Sequence, residues 1–490
     1  MVEQRKGGDD MKINISYKTK PVEVTARVAE IAEAFGIGVD DAIEHTILED
    51  YDFNEDFTVC YITGASGSGK SSLLRVLQEQ YDYDNVSLNE IMECDEALID
   101  LIGANTREAI GLLSICGLAE AKLFTKRPRE LSDGQKYRFQ LAWLLDQKRD
   151  IIMIDEFTSF LDRTTASVVA FNMQKICRRN GIKLIVATAH NDLEEFLKPD
   201  LKIDFKTGDG VETTTPIVDD SNPFIPLLSI EDADRHDFDN FIKYHYKSTK
   251  AVPGVKKMYK LMLNGTPIGL AVYAVASRML SGRNIYFNKH YMTAKGYPKM
   301  DEVNSDFLNG ARYIIHPQYR GCGLGAWFTE ETIKMIDKEF NIPFIEVSSV
   351  MAKFTPFLQK GGVMDVCDNE SAKTKKDTDK IKELLAKYGM SYDFLTSLDY
   401  CQQVIDTIPE REIRRAFNGR LRTAMFIHHG LDLDKAELNA LPLTPKLLQK
   451  AKKGETRYFL HINEDKCTQC PTCGHWHKKE NSCHFCEKEE

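Results

Sequence analysis

Apolar positions along the chain fall into short unbroken runs and into stripes at helical spacing. Unbroken runs at 57–62, 151–157 and 184–189 predict strands buried on both faces, the mark of a parallel sheet. A helical run at 71–77 comes directly after the first of them. Within 22–37, Val24, Val28, Ile31, Ala32 and Phe35 share one helical face, which predicts a helix packed on that sheet. The stretch 206–222 is rich in Gly, Thr, Asp and Pro and reads as a linker. Beyond it, strand-like runs at 256–263 and 268–274 flank Asn264-Gly265, a hairpin signal. Further strands are predicted at 311–317 and 343–348, with a helical run to about 336 between them. Residues 371–383, dense in Lys and Asp, read as a solvated loop or lid. The pattern predicts an α/β chain with domains at 1–205, 236–405 and 467–490, a linker at 206–235, and a helical, arginine-containing connector at 406–466.

Between the first strand and its helix stands Gly64-Ala65-Ser66-Gly67-Ser68-Gly69-Lys70-Ser71, which fits GxxxxGK[ST] in the required strand, loop and helix context. Its glycines let backbone N–H groups wrap the β- and γ-phosphates of ATP, Lys70 neutralises their charge, and the Ser71 hydroxyl ligates Mg²⁺, with Ser72 beside it. Asp155 and Glu156 close the second strand. One carboxylate there holds the magnesium shell, and the other orients or deprotonates the attacking water. His190 closes the third strand, so all these groups are expected at strand ends.

About sixty residues after the phosphate loop comes Leu131-Ser132-Asp133-Gly134-Gln135, and after the Asp-Glu pair comes Ser159-Phe160-Leu161-Asp162. Together with Gly64, Gly67, Gly69 and Lys70 this order resembles the ABC-class ATPases. The resemblance implies that Ser132, Gly134 and Gln135 press on the ATP of a partner subunit, that Asp162 belongs to the D-loop, and that His190 is a switch histidine beside catalytic Glu156. One P-loop and one signature loop per chain then imply a head-to-tail homodimer with ATP sandwiched in its seam. The chain departs from transporter ATPases in its short loop-to-signature interval. Gln78 and Gln80 sit too early for a Q-loop, so no membrane partner is expected.

Residues 311–317 lead into Gln318-Tyr319-Arg320-Gly321-Cys322-Gly323-Leu324-Gly325, an R-x-x-G-x-G turn before a helix. It is similar to the acetyl-CoA loop of the GNAT acyltransferases, an α+β fold, and the segment 351–362 (MAKFTPFLQKGG) resembles the place where a splayed strand meets the helix over the CoA thiol. The resemblance implies that Ile315, Arg320, Gly321, Gly323, Leu324 and Gly325 hold acetyl-CoA or another acyl-CoA. Many GNAT members carry a general-acid tyrosine where this chain has Phe357, which has no proton to give. Tyr313, Ser348, Ser349 and Tyr244 remain candidates for that role. Residues 244–248 (YHYKS) resemble a stretch of Mom-type phage DNA-modification proteins, but aromatic residues packing a helix on the sheet explain them better. The order of the two units resembles ABC-type ATPases fused to a predicted acetyltransferase, over about residues 20–400.

Five of the twelve cysteines crowd between 467 and 486. Cys470-x-x-Cys473 and Cys483-x-x-Cys486 have the spacing of a zinc ribbon, with Cys467, His475, His477 and His484 as substitutes. Such a ribbon binds nucleic acid or protein, or serves structure alone. Arg411, Arg414, Arg415, Arg420 and Arg422 surround Phe417, either tracking a phosphate backbone with Phe417 stacked on a base or forming a solvated helix face. A formal net charge of -10 excludes a globally basic nucleic-acid coat. No long apolar run or leader is apparent and the first ten residues are polar, so a cytoplasmic location is expected. The expected function is an ATP hydrolase coupled to an N-acyltransferase acting on DNA or RNA. The alternatives are an ATP-gated acetyltransferase of proteins or small amines, and a non-catalytic ATP-dependent nucleic-acid-binding protein.

Overall fold

A computed structural model describes residues 11–18, 23–38, 44–84, 89–206, 210–245, 251–351, 354–452, 454–483 and 486. The polar first ten residues, Tyr246, Lys247 and Ser248 of the 244–248 stretch, Ala352 and Lys353 of the 351–362 segment, and His484 lie outside them. The chain divides into two compact units: Met1–Lys250 with Lys260–Leu270 and Ile314–Gly325, and Ala251–Tyr259 with Ala271–Tyr313 and Ala326–Glu490.

In the first unit, β1 (Met11–Lys18) pairs antiparallel with β2 (Glu44–Phe53), and α1 (Ala26–Phe35) lies between them in sequence. A five-stranded sheet has the order β4-β5-β3-β6-β7, from β3 (Val59–Gly64), β4 (Ile151–Ile154), β5 (Lys183–Thr188), β6 (Leu201–Lys206) and β7 (Gly210–Thr214). The first four run parallel, with Val59 beside Leu184 and Cys60 beside Leu201; β7 is antiparallel. Val59, Cys60, Tyr61 and Ile62 are all fully buried, which is why these strands carry continuous apolar runs. Leu73, Leu74 and Leu77 of α2 (Lys70–Gln80) join Ile13, Ile15, Leu48, Phe53 and Phe57 in one core against the sheet. The unit also contains α3 (Thr106–Ile115), α4 (Asp133–Asp146) and α5 (Arg163–Asn180).

Two expectations change here. The stretch 206–222 is not wholly linker, because β7 extends the sheet. Helix α1 buries none of its residues, and Ile31 and Phe35 are 51% and 74% exposed, so its apolar face does not pack on the sheet. A helical apolar stripe shows that a face wants cover without saying what supplies it.

A seven-stranded sheet has the order β13-β14-β12-β11-β10-β9-β8, from β8 (Leu228–Asp232), β9 (Val255–Leu263), β10 (Thr266–Val275), β11 (Phe307–Ile315), β12 (Phe344–Ser349), β13 (Met364–Asp368) and β14 (Arg457–Ile462). Strands β11 and β12 pair in parallel at three positions, Phe307↔Phe344, Leu308↔Ile345 and Asn309↔Glu346. On its other edge β12 pairs antiparallel with β14 along its whole length, from Phe344↔Ile462 to Ser349↔Arg457. Helix α6 (Leu324–Phe340) comes after β11 in sequence.

Within the second unit, helices α7 (Ala372–Lys387), α8 (Leu398–Thr407), α9 (Glu410–His429) and α10 (Pro445–Ala451) have their own core of Leu385, Val404, Ile413, Phe417, Leu421 and Leu448. Residues 371–383 are therefore no loop: Ser371 caps α7, accepting from the Thr374 N–H, and Ile381 and Leu385 are buried. Phe417 is fully buried and cannot stack on a base. The Arg414 guanidinium donates to Glu410 and to the Leu438 and Leu441 carbonyls, and Arg420 bonds Glu370, Thr374 and Thr378. Only Arg411, Arg415 and Arg422 of the five are exposed.

Glu346 of β12 and Arg283 are 0% and 2% exposed and 3.4 Å apart, with the Arg283 guanidinium over the Phe307 ring. Burial pushes the Glu346 pKa from 4.5 up to about 7, against the opposing pull of Arg283. A carboxyl whose folded pKa is raised takes up a proton on folding, so its contribution to stability falls as pH climbs from 4.5 towards 7. Glu346→Gln, an isostere of the protonated acid, is expected to melt with the wild type near pH 5 and above it near pH 8. Calorimetry checks this, and a variant that melts lower at the higher pH would mean that pairing with Arg283 outweighs burial.

Candidate functional site

The phosphate loop joins β3 to α2 through backbone shapes that demand glycine. Gly64 has φ 144°, and a Cβ there would lie 2.7 Å from Phe205; Gly69 has φ 108° and would meet Ile47 at 2.5 Å. Lys70 is 5% exposed, and its ammonium donates to the Gly64 and Ala65 carbonyls at 2.9 and 2.7 Å. An ammonium carries three donors, so one is left for a phosphate. Ser68 Oγ is buried without a partner among the described residues, an orphan hydroxyl inside the cradle. The loop opens α2 at Lys70, and the N–H groups of a helix N-terminus favour an anion. These features fit a triphosphate. Ser71 and Ser72 are half-buried beside it, and Tyr17 of β1 bonds the Ser72 hydroxyl.

Because β4, β5 and β3 are parallel neighbours, Asp155, Glu156 and His190 lie along the same edge of the sheet as the loop. Asp155 and Glu156 are exposed; the Glu156 N–H donates to Asp155 at 2.9 Å, and Ser159 Oγ donates to Glu156 Oε2 at 2.8 Å. The His190 carbonyl accepts from the hydroxyls of Tyr61 and Thr63, which holds the chain at that turn. Burial first and then the Arg163 guanidinium lower the His190 pKa, against Glu156, so the ring is neutral at neutral pH. A carboxylate with the Ser71 hydroxyl suits Mg²⁺, a hard cation that takes oxygen ligands.

Ser132 is exposed at the N-cap of α4, with its N–H on Gln135 Oε1. Gly134 lies under the turn after Glu156: a Cβ there would be 3.4 Å from the Phe160 carbonyl. That turn is strained, with Glu156 at φ 49° and buried Thr158 at φ 63°, a costly shape for a β-branched residue. The Thr158 N–H donates to the buried Tyr137 hydroxyl of α4 at 2.8 Å. Asp162 caps α5, accepting from Thr165 N and Thr165 Oγ1. Burial alone would raise its pKa, but these hydrogen bonds hold it below the usual carboxylate value. Neither Tyr137 nor Thr158 belongs to a motif; a tyrosine two residues past a signature loop carries no local signal.

The loop 316–325 belongs to the same compact unit as the phosphate loop. Arg320 does not reach outward. Its guanidinium donates to the carbonyls of Ile315 (2.8 Å), Ala119 (2.6 Å) and Tyr244 (3.3 Å). Gly321 has φ 92°, and a Cβ there would lie 2.6 Å from Asn172 Nδ2. Gly323 has φ 83° with open space around it, Leu324 is buried at the start of α6, and Gly325 faces Ile315.

At the other end of the chain, ligand atoms of Cys470, Cys473, Cys483 and Cys486 lie within 4.8 Å of one another, against the small ribbon of β15 (Cys467–Gln469) and β16 (Trp476–Lys478). The N–H groups of Cys473 and Thr472 hold the Cys470 thiol well below its ordinary pKa, which favours a thiolate ligand. Four sulfurs gathered so closely fit Zn²⁺. Cys467 is not among them, being buried in an aromatic core with its thiol on the Pro343 carbonyl. His475 packs on the Tyr286 ring, and His477 Nδ1 contacts the Lys478 carbonyl.

No family model matches the chain. Among curated proteins it is 25% identical over 174 residues to a methionine import ATP-binding protein of Haemophilus ducreyi, covering 28% of this chain and 50% of that protein. It is 33% identical over 104 residues to an energy-coupling factor transporter ATP-binding protein of Leuconostoc mesenteroides, covering 21% and 38%. The chain thus spans about half the length, or less, of these relatives. A dimeric, post-hydrolysis ATP-binding cassette bound to ADP and Pi covers 42% of this chain and 97% of its own, at 18% identity and a TM-score of 0.29. The chain contains an ABC-type nucleotide-binding domain. Among the described residues no helix is long and apolar enough to cross a membrane.

Purified chain is expected to carry one zinc ion, measured by plasma emission, and Cys473→Ser should lose it along with the ribbon's protection from protease. Full metal content in that variant would contradict the four-thiolate site.

Proposed function

We propose that this chain is an ATP hydrolase, working as a homodimer, coupled to an acyl-CoA-dependent N-acyltransferase whose acceptor is a nucleic acid. In the ATPase, Ser71 and Asp155 hold Mg²⁺, Lys70 and the loop N–H groups hold the phosphates, and Glu156 orients or deprotonates water. Exposure of Ser132 at a helix N-terminus supports a site completed by a second copy.

The observation that carries the acyltransferase reading is the parting of β11 from β12. Their parallel pairing stops at Asn309↔Glu346, while β11 runs on to Ile315 and the glycine-rich loop. This parting supports the reading, because the resemblance calls for a splayed strand at that place. Acyl-CoA would supply an activated acyl group there. The acceptor nitrogen bonds the acyl carbon as the C–S bond breaks; the amine gives up one proton and the thiolate takes one. Tyr313 is the best-placed of the hydroxyl candidates. A Cβ on Gly310 would lie 2.7 Å from its phenol oxygen and 2.9 Å from Val347 of β12, so that oxygen lies where the strands part. Tyr313 bonds Tyr273, which bonds Thr332. Ser348 instead accepts from Asn369, and Tyr244 contacts His316 in the first unit. A nucleic-acid acceptor is supported by the four-cysteine ribbon and by exposed Arg411, Arg415 and Arg422.

Two observations favour a second reading, an ATP-gated binding protein without transfer chemistry. Arg320 is consumed by backbone carbonyls, and Phe357 has no proton to give. Transfer to proteins or small amines is the remaining alternative.

Glu156→Gln with saturating ATP and magnesium should run at dimer mass in light scattering; a monomer would refute the sandwich. Acetyl-CoA with RNA or DNA should release free thiol, and Tyr313→Phe should slow release by about 100-fold while CoA affinity stays unchanged. Mass spectrometry of the nucleosides identifies the product. Thiol release with protein alone, or none with any acceptor, points to the other readings.

A further inference from the structure

Two parts of the first unit that the motifs treat as separate are joined by side chains. Gln318, in the loop 316–325, donates both hydrogens of its amide to the start of α5. Nε2 lies 2.8 Å from Asp162 Oδ1 and 2.9 Å from Thr165 Oγ1. Two turns along the same helix, buried Asn172 donates to the carbonyls of Ile115 and Arg320, and the Gly321 backbone approaches it too closely for any side chain. Asn222 then donates to the Cys322 carbonyl at 2.8 Å. The glycine-rich loop is thus seated on α5 through the Gln318 side chain and the backbone of Arg320 and Gly321.

The other side of Asp162 leads to catalysis. Successive turns, Ser159 N–H to the Glu156 carbonyl and Leu161 N–H to the Thr158 carbonyl, connect Glu156 to the cap of α5 in seven residues. This segment holds two non-glycine residues at positive φ, one of them β-branched. Such strain costs on the order of 1–3 kcal/mol per residue and persists only where neighbours over-determine it. The neighbour that does so is Tyr137, on the helix of the signature loop. A strained turn pinned at one end by that helix and ending in a carboxylate that Gln318 grips has the ingredients of a two-state element. A change at Glu156 that relaxes Thr158 must move Asp162, and Asp162 cannot move without breaking or dragging Gln318.

We infer that Gln318 couples the nucleotide site to the glycine-rich loop: nucleotide bound at the phosphate loop alters the turn 156–162, and the Asp162–Gln318 bond passes that change to residues 316–325. Coupling is reciprocal, so a ligand held by the glycine-rich loop alters nucleotide affinity by the same factor. The link itself requires no ligand on that loop; only this reciprocal effect rests on the acyl-CoA reading.

Hydrogen exchange on the full-length chain tests it, with and without a non-hydrolysable ATP analogue and magnesium. Amides of 316–325 in the wild type should change their exchange rate by about 5-fold or more on nucleotide binding. In Gln318→Ala, and in Gln318→Glu where two carboxylates oppose, that change should vanish while nucleotide still alters exchange in the phosphate loop. The phosphate-loop response shows that each variant is folded. An unchanged 316–325 in the wild type, or the same response in both variants, overturns the inference. A second arm adds CoA and measures analogue affinity. Failure of CoA to bind counts against the acyl-CoA reading alone and leaves the exchange result standing.

Discussion

The site depends on β4, β5 and β3 lying as consecutive parallel strands with both faces covered. In-register pairing, Ile151 with Lys183 and Val59 with Leu184, fixes where each strand stops, so the residues at the three strand ends must share one edge. Gly64, Asp155 and His190 are far apart in sequence, yet the sheet has no freedom to separate them. A slip of one residue would turn apolar side chains such as Ile62 and Val186, both fully buried, out of the faces they fill. The Asp155 and Glu156 carboxylates stand exposed just past a strand that is itself held by burial and register.

The phosphate loop was legible in the sequence because its chemistry is local. Backbone shape at Gly64 and Gly69 rules out other residues, and Lys70 and Ser71 come next at fixed spacing. The cysteine pairs were legible for the same reason. Features that depend on distant partners were not. Gln318 and Asp162 are 156 positions apart, and nothing near either announces the other. Arg320 sits in a motif that calls for an anion, yet it serves the carbonyls of Ile315, Ala119 and Tyr244, because folding placed three acceptors within its reach. Residues 371–383 misled through composition: their charges lie on the outer side of a helix that buries only Ile381 and Leu385.

Phe417 and α1 show the two ways an apolar pattern can be misread. Phe417 stands among arginines, but its place on α9 points it into the helical core, leaving Arg411 and Arg415 outside. The stripe on α1 is regular and amphipathic, and still none of its residues is buried. Periodicity reports a helix in both cases; whether its apolar face meets a core depends on the tertiary fold.

The glycine-rich loop lies in one compact unit with the cassette, although nearly all of the strand before it and the helix after it belong to the other. Severing the polypeptide after Lys250 to obtain a free-standing C-terminal half would therefore strip the Gly321 backbone of Asn172 and leave the Arg320 guanidinium without the Ala119 and Tyr244 oxygens where it resides. Neither excised half would be a faithful miniature of its share of the whole, and duplication, loss or exchange of either part during evolution would have to carry this seat along.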